Sequence, residues 1–260
     1  MSNRYFLDYT VSRRHEDEVF LAGDEAHHFA KVMRGAVGDS IVLFDGTGPY
    51  SHGIVKAVQK GCIQIHITQT FADDVESPLR LTVASALPKG DRQRFLIEKL
   101  AELGVVRFIP VQMERSVARA HDAVVQRFRR YVIEAAKQCG RNVLMEIESE
   151  VTMSQLAGKI KPETEKFILH PTALGSVGQI TPRQVWDEYV SRPDCGTHGL
   201  KQSSMMLIGP EGSFTDREIE LAICNGFVPL DLGRRILRTE TACIAAASVF
   251  LCGMAVCRTT

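Results

Sequence analysis

Three segments in the C-terminal part of the chain combine glycine with residues able to hold a ligand. They are Leu169-His170-Pro171, Ile208-Gly209-Pro210-Glu211-Gly212-Ser213-Phe214, and the stretch from Asp231 to Arg238 that leads into Thr239-Glu240-Thr241-Ala242. Each follows a short apolar run that reads as a strand. Thr215 and Glu218 stand at capping-box spacing just after the second segment, so a helix should begin there. Loops at the carboxyl ends of parallel strands are where α/β sheets bind ligands, and glycine lets backbone N–H and C=O groups approach closely. Taken singly, Gly209, Gly212 and Gly233 are equally compatible with ordinary turns. The usual phosphate and metal signatures are missing: no GxxxxGK[ST], no GxGxxG and no HExxH occurs. His27 and His28 are adjacent, so on a helix they face different directions and do not form a metal pair. No metal site is expected.

The elements that would position these loops alternate. Leu79 to Ala86 is an apolar strand, and Asp91 to Leu103 is a helix with Phe95, Leu96, Leu100 and Leu103 at helical spacing and Gly104 as its stop. Val105 to Val111 reads as a strand and His121 to Cys139 as a long helix. Lys166 to His170, Pro182 to Val190, Met205 to Ile208, Thr215 to Asn225 and Phe227 to Leu232 continue the rhythm. A last helix runs from about Thr239 to Cys252. Strands alternating with helices imply an α/β domain with a mostly parallel sheet covered on both faces. The first 70 or so residues are different and read mainly as β. Ile63, Ile65 and Ile67 alternate with Gln64, His66 and Thr68, the period of a half-buried strand. One helix, from an Asp24 N-cap to about Arg34, interrupts this set, which suggests a small barrel. The acidic, Pro-ended segment Asp73 to Pro78 reads as a linker. The expected organisation is therefore residues 1–72, a linker over 73–78, and residues 79–260.

Composition excludes several classes. The chain has 260 residues, 31 Lys+Arg against 31 Asp+Glu, and 45% apolar residues, which is ordinary globular usage rather than disorder or a repeat. Its seven cysteines form no CxxC and no zinc-like or disulfide-like spacing, so a reducing cytoplasm is the simplest expectation. No apolar signal core or membrane-spanning run is present, and no membrane partner is expected. The neutral total hides a local bias: Leu87 to Arg141 holds 12 Lys/Arg against 6 acids. Such a stretch could neutralise nucleic-acid phosphates, or be a solvated helix face. The first 72 residues, with 7 basic and 8 acidic, show no bias.

Taken together, Ile208 to Phe214, Leu232-Gly233 with Ile236-Leu237-Arg238-Thr239-Glu240-Thr241-Ala242, and Glu134-Ala-Ala-Lys-Gln-Cys-Gly-Arg141 resemble the bacterial 16S rRNA uridine-N3 methyltransferases of the SPOUT superfamily. Leu87-Pro-Lys-Gly-Asp-Arg92 and His27-His-Phe-Ala-Lys-Val-Met-Arg34 are also similar to that family. One departure is Cys139, where relatives often carry Ser. The resemblance covers nearly the whole chain. It implies a PUA-like N-terminal β-barrel, a C-terminal SPOUT domain with a deep trefoil knot, and a homodimer. It also implies that the glycine-punctuated loops hold S-adenosylmethionine, through His170, Pro171, Ile208, Gly209, Gly212, Leu232, Gly233, Ile236 and Leu237. The implied reaction is methylation of uridine N3 in 16S rRNA, on the assembled small subunit in relatives. N3–H is a poor nucleophile, so a proton acceptor and a stabiliser of charge on O2 and O4 are needed. Arg141 suits the second task because a guanidinium stays charged. Gln138 is expected to read the base edge, and Glu211 to accept the proton or merely cap its loop. Arg13, Arg14, Lys31, Arg34, Lys89, Arg92 and Arg238 are the expected RNA contacts. Two other readings stay open: another knotted RNA methyltransferase acting on ribose 2′-hydroxyls or tRNA bases, and a non-catalytic RNA-binding or ribosome-assembly factor.

Overall fold

The structure is a computed structural model that describes residues 3–72, 76–160, 164–170, 181, 184 and 203–256. The chain divides into two compact units. One is Met1–Glu76 with Ala136–Leu144, the other Ser77–Ala135 with Met145–Thr260. The N-terminal unit thus includes a return segment, 136–144, that local sequence patterning does not assign to it.

In that first unit β1 (Arg4–Phe6), β2 (Arg13–His15), β3 (Glu18–Ala22), β4 (Ser40–Phe44), β5 (Tyr50–Gln59) and β6 (Cys62–Phe71) form one sheet in the order β1-β4-β5-β6-β3-β2. β1 runs parallel to β4, and the other pairs are antiparallel. Register shifts in β5 at His52/Gly53 and Val55/Ala57 give the local irregularity that lets a sheet bend. The alternation of Ile63, Ile65 and Ile67 is real: these side chains enter one core with Val19, Leu21, Ile41, Leu43 and Val55. Each such fully buried side chain contributes about 1.5–3 kcal/mol.

The interrupting helix differs from expectation. α1 is only Gly23–His27 and continues as a π-turn over His28–Val32, so Arg34 lies beyond it with φ 55. Asp24 is not the N-cap; Ala22, in extended backbone, precedes the helix. The physical reason for the turn lies in Phe29 and Gly35. Phe29 is fully buried, and a Cβ added at Gly35 would fall 2.2 Å from its ring. The chain therefore folds tightly over the ring, and the Gly35 N–H donates to the Phe29 carbonyl at 3.0 Å.

The second unit contains β7 (Arg80–Ser85), α2 (Arg92–Leu103), β8 (Arg107–Gln112), most of α3 (Asp122–Cys139), β9 (Glu146–Ile147), β10 (Val151–Thr152), α4 (Met153–Ala157), β11 (Glu165–Leu169), β12 (Ser203–Ile208), α5 (Asp216–Cys224), β13 (Val228–Leu230) and α6 (Thr239–Val256). The sheet runs β10-β8-β7-β12-β11-β13, with β9 also on β8, and every pair is parallel. The expected α/β architecture is thus present. The short elements β9, β10 and α4 escape sequence reading because two-residue strands carry no period. Expected helix Pro182 to Val190 lies outside the described residues, apart from Gln184. So does most of the 171–202 connection.

Gly104 ends α2 in the left-handed conformation (φ 95), as its position predicts. α6 packs on α2, β7 and β12. Within the run Ala245-Ala246-Ala247, Ala246 and Ala247 are fully buried there and belong to the core. Cys243 is also buried, with Sγ 3.4 Å from Ser85 Oγ. Burial pushes its thiol up to about 12, which keeps it neutral and apolar in character. Among the described residues no helix is long and apolar enough to cross a membrane.

Gly35→Ala should test the Phe29 turn. The added methyl overlaps a core ring, so unfolding free energy should fall by about 1–3 kcal/mol. Thermal melting followed by circular dichroism checks this, and an unchanged melting temperature would contradict it.

Candidate active site

The carboxyl ends of three adjacent parallel strands meet at one cleft. Leu169 ends β11, Ile208 ends β12 and Leu230 ends β13, and all three line it. The loops that follow these strands complete the walls, and Thr239 and Ala242 of α6 close one side. The cleft is open to solvent on one side, and about 620 Å³ lies between its walls when the solvent at its mouth is counted.

Local chemistry explains how the loops hold together. Thr239 is 3% exposed, and its Oγ1 donates to the Gly209 carbonyl at 3.0 Å, joining the start of α6 to the loop after β12. Gly209 has to be small: a Cβ there would stand 2.9 Å from the Phe214 ring, which packs in the core. Thr215 and Glu218 form the expected capping box at the start of α5. Glu218 reaches further and accepts from the Glu114 N–H at 2.8 Å, while Arg115 Nη1 donates to the Gly212 carbonyl at 2.8 Å. The loop is therefore tied to the end of β8. In the third loop Asp231 Oδ1 accepts from the Gly233 N–H at 2.8 Å, and Gly233 has φ 105, a conformation that favours glycine.

Of the residues expected to hold a cofactor, His170, Ile208, Gly209, Leu232, Gly233, Ile236 and Leu237 all line the cleft. Gly212 does not. It lies against Arg115, where an added Cβ would be 3.2 Å from the Arg115 Cβ, so its smallness serves loop packing. Pro171 lies outside the described residues. Phe214, Asp231 and Thr239, members of the same segments with no individual role expected of them, also line the cleft. Thr239 is legible in hindsight as a hydroxyl at a helix start. Ile236 is 89% exposed, a large apolar side chain standing in solvent beside the cleft.

Glu211 lines the same cleft, with Oε1 3.5 Å from Arg92 Nη2. Gln138 and Arg141 belong to the other compact unit. Gln138 is exposed on α3. Arg141 is 6% exposed, and Nε and Nη2 reach the two carboxylate oxygens of Glu76 at 2.8 and 2.6 Å. In the same unit Lys137 Nζ pairs with Glu25 at 2.9 Å, and Arg4 donates to Asn142 while lying over the Phe44 ring. Burial lowers the Arg4 pKa from its usual range.

Arg13, Arg14, Lys31 and Arg34 are exposed in the N-terminal unit, and Lys89 and Arg238 are exposed in the second. The basic stretch from Leu87 to Arg141 is largely neutralised in place. Arg107 pairs with Glu146 and Glu148, Arg119 with Glu150, and Arg94 and Lys99 with acids one turn along α2. Much of its local excess is met by acids that lie outside the stretch. Among the described residues no cluster of three His, Cys, Asp or Glu side chains is placed to hold a metal.

Comparison with known proteins agrees with both units. An RNA methyltransferase domain family matches residues 75–251, and an RNA methyltransferase PUA domain family matches residues 21–67. A ribosomal RNA small subunit methyltransferase E of Bacillus subtilis is 31% identical over 94% of each chain. One from Synechocystis is 33% identical over 87% of this chain and 70% of its own. Among solved structures, the ribosomal RNA small subunit methyltransferase E of Neisseria gonorrhoeae, bound to S-adenosyl methionine, superposes with a TM-score of 0.78 at 28% identity, covering 96% of this chain and 97% of that one. A Legionella pneumophila protein solved with bound SAM gives a TM-score of 0.80 at 30% identity, covering 97% and 98%. Matched by a domain family over residues 75–251 and by relatives along nearly its full length, the chain belongs to the ribosomal RNA small subunit methyltransferase E family.

Proposed function

We propose that the chain methylates N3 of a uridine in 16S rRNA, using S-adenosylmethionine held in the cleft at the ends of β11, β12 and β13. That it is an S-adenosylmethionine-dependent methyltransferase of ribosomal RNA follows from its family. The observation that carries the reading is the convergence of His170, Gly209, Leu232, Gly233 and Leu237 on one cleft at the carboxyl ends of the parallel strands. The donor set fits the cofactor. Leu169, Ile208, Leu232 and Leu237 give an apolar slot for an adenine ring, and the turns at Gly209 and Gly233 bring backbone groups to its edges. Glu211 and Asp231 suit the positive end of such a ligand. When bound, S-adenosylmethionine supplies a methyl group on a positively charged sulfur.

The chain's own residues supply the rest. Glu211 accepts the N3 proton at its carboxylate, where geometry must bring the base edge within hydrogen-bond reach. Gln138 hydrogen-bonds the base edge. Arg141 stabilises charge spreading onto O2 and O4, with a guanidinium preoriented by Glu76, so little reorganisation accompanies the reaction. Its burial and its bidentate bond to Glu76 favour a second reading, in which it is a staple within the N-terminal unit. Arg13, Arg14, Lys31, Arg34, Lys89, Arg92 and Arg238 meet RNA phosphates. The enzyme acts in the cytoplasm on an assembled small subunit, as a homodimer whose cofactor loops are tied by a trefoil knot.

The deciding experiment is nucleoside mapping of small subunits after incubation with the purified protein and cofactor. 3-Methyluridine is the expected product. Ribose methylation, or a methyl group only on tRNA, would replace this reading with one of the rival knotted enzymes. Absence of both turnover and any cofactor-induced rise in melting temperature would leave a non-catalytic RNA-binding factor.

Two variants probe the residues. Gly233→Ala forces a side chain into left-handed backbone at about 1–2 kcal/mol, so calorimetric affinity for S-adenosylmethionine should fall roughly tenfold. Unaltered affinity would remove this loop from the binding site. Arg141→Ala should abolish methylation while cofactor affinity survives, and Glu76→Gln should be far milder. Equal losses in both would leave Arg141 only as a staple, since removing either partner of a buried ion pair costs about 3–5 kcal/mol.

A further inference from the structure

Three charged residues meet beside the cleft. Arg92, the first residue of α2, has Nη2 3.5 Å from Glu211 Oε1 and Nη1 3.6 Å from Glu240 Oε1. The two carboxylates differ in surroundings. Glu211 lines the cleft, whereas Glu240 is 6% exposed, and its Oε2 is buried with no hydrogen-bond partner among the described residues. A buried carboxylate oxygen left unsatisfied is costly, so its presence calls for a reason. Direct contact with the cofactor does not supply one. Thr239 and Ala242 present the cleft face of α6, and Glu240 is turned about 100° from Thr239 around the helix. It reaches Arg92 on the neighbouring α2, against which α6 packs.

We infer that Glu240 is a positioning residue, a buried anchor that holds the Arg92 guanidinium at the cleft edge to clasp a phosphate of the entering RNA. The inference rests on the reading that RNA enters this cleft. Arginine meets a carboxylate best through two parallel N–H···O bonds. Both contacts of Arg92 are longer than good hydrogen bonds, and Glu240 still has an unpaired oxygen. Arg92 therefore has a tighter arrangement within reach: a two-bond fork on Glu240, with its remaining N–H groups turned to a phosphate. In that arrangement it leaves Glu211, whose carboxylate then faces the base without a competing cation. Glu240 touches neither cofactor nor RNA in this scheme and acts only through Arg92.

Glu240→Gln separates this from plain electrostatics. Removing an acid near RNA should by Coulomb attraction alone tighten binding. An anchor instead predicts weaker binding, because Arg92 falls back onto Glu211. RNA affinity, measured over a salt series with small subunits as the probe, should drop about tenfold, and the slope of log K against log salt should shrink by about 0.7–0.9, one phosphate contact. Arg92→Gln should give the same reduced slope, and the double variant should be no worse than either single one. Glu240→Asp, which keeps the charge, should restore most of the slope. Calorimetric S-adenosylmethionine affinity should stay near that of the parent, which a general loss of structure would not allow. Binding of Glu240→Gln that is as tight as the parent's with an unaltered slope overturns the inference. Should Glu240→Gln not fold, an unaltered slope in Arg92→Gln overturns it equally. Turnover by the parent protein in the same preparation keeps the two readings apart. If the parent does not methylate, the functional reading fails; if it does and the variant slopes are unaltered, only the anchor fails.

Discussion

The cleft depends on one buried hydrogen bond, from Thr239 Oγ1 to the Gly209 carbonyl. Parallel strands deliver their carboxyl ends to one edge of a sheet, but the loops that leave them have no reason to stay together. Here the loop after β12 is held from two sides. The start of α6 binds it through Thr239, and the end of β8 binds it through Glu218 and Arg115. Phe214 fills the space above Gly209, which is why glycine is required there. A buried polar bond of this kind is worth only about 0.5–1.5 kcal/mol net, but leaving either group unpaired costs more. The bond therefore specifies the arrangement of the loops more than it stabilises the fold.

Charge is arranged with similar economy. The stretch rich in Lys and Arg meets acids contributed by other segments: Glu146, Glu148 and Glu150 on one side, Glu25 and Glu76 in the N-terminal unit. The cations left exposed and without an ion pair among the described residues are fewer, and include Lys89, Arg238 and the arginines of β2. Arg92 stands between the two groups. Its two carboxylate contacts are both long, and Glu240 is buried while Glu211 lines the cleft. Surface ion pairs contribute little to stability, so their function is better sought in orientation.

Several features were legible in the residues alone. The alternation of Ile63, Ile65 and Ile67, the stop at Gly104, the capping box at Thr215 and the strand-then-glycine pattern around Gly209 all depend on neighbours within a few positions, and the structure contains each of them. The resemblance carried by residues 208–214, 232–242, 134–141, 87–92 and 27–34 named the family correctly. Where local signals conflicted, packing decided. The helix expected to run to Arg34 is cut short because Phe29 must enter the barrel core, and Gly35 must then fold back over its ring.

Other properties depend on residues far apart in the chain, and no local pattern encodes them. Arg141 looks like a free guanidinium beside Gly140, yet it is buried against Glu76, 65 positions away. Gly212 reads as a ligand-facing glycine, but its neighbour is Arg115. Glu240 reads as one more acid in a helix start and proves to be a buried carboxylate facing Arg92. Sequence by itself determined the longer elements, the loops at the strand ends and the family, because these follow from periodicity, backbone conformation and short motifs. Only the tertiary structure decided which charges are paired and which glycines face the hollow, because burial and pairing are set by segments that meet through the sheet rather than along the chain.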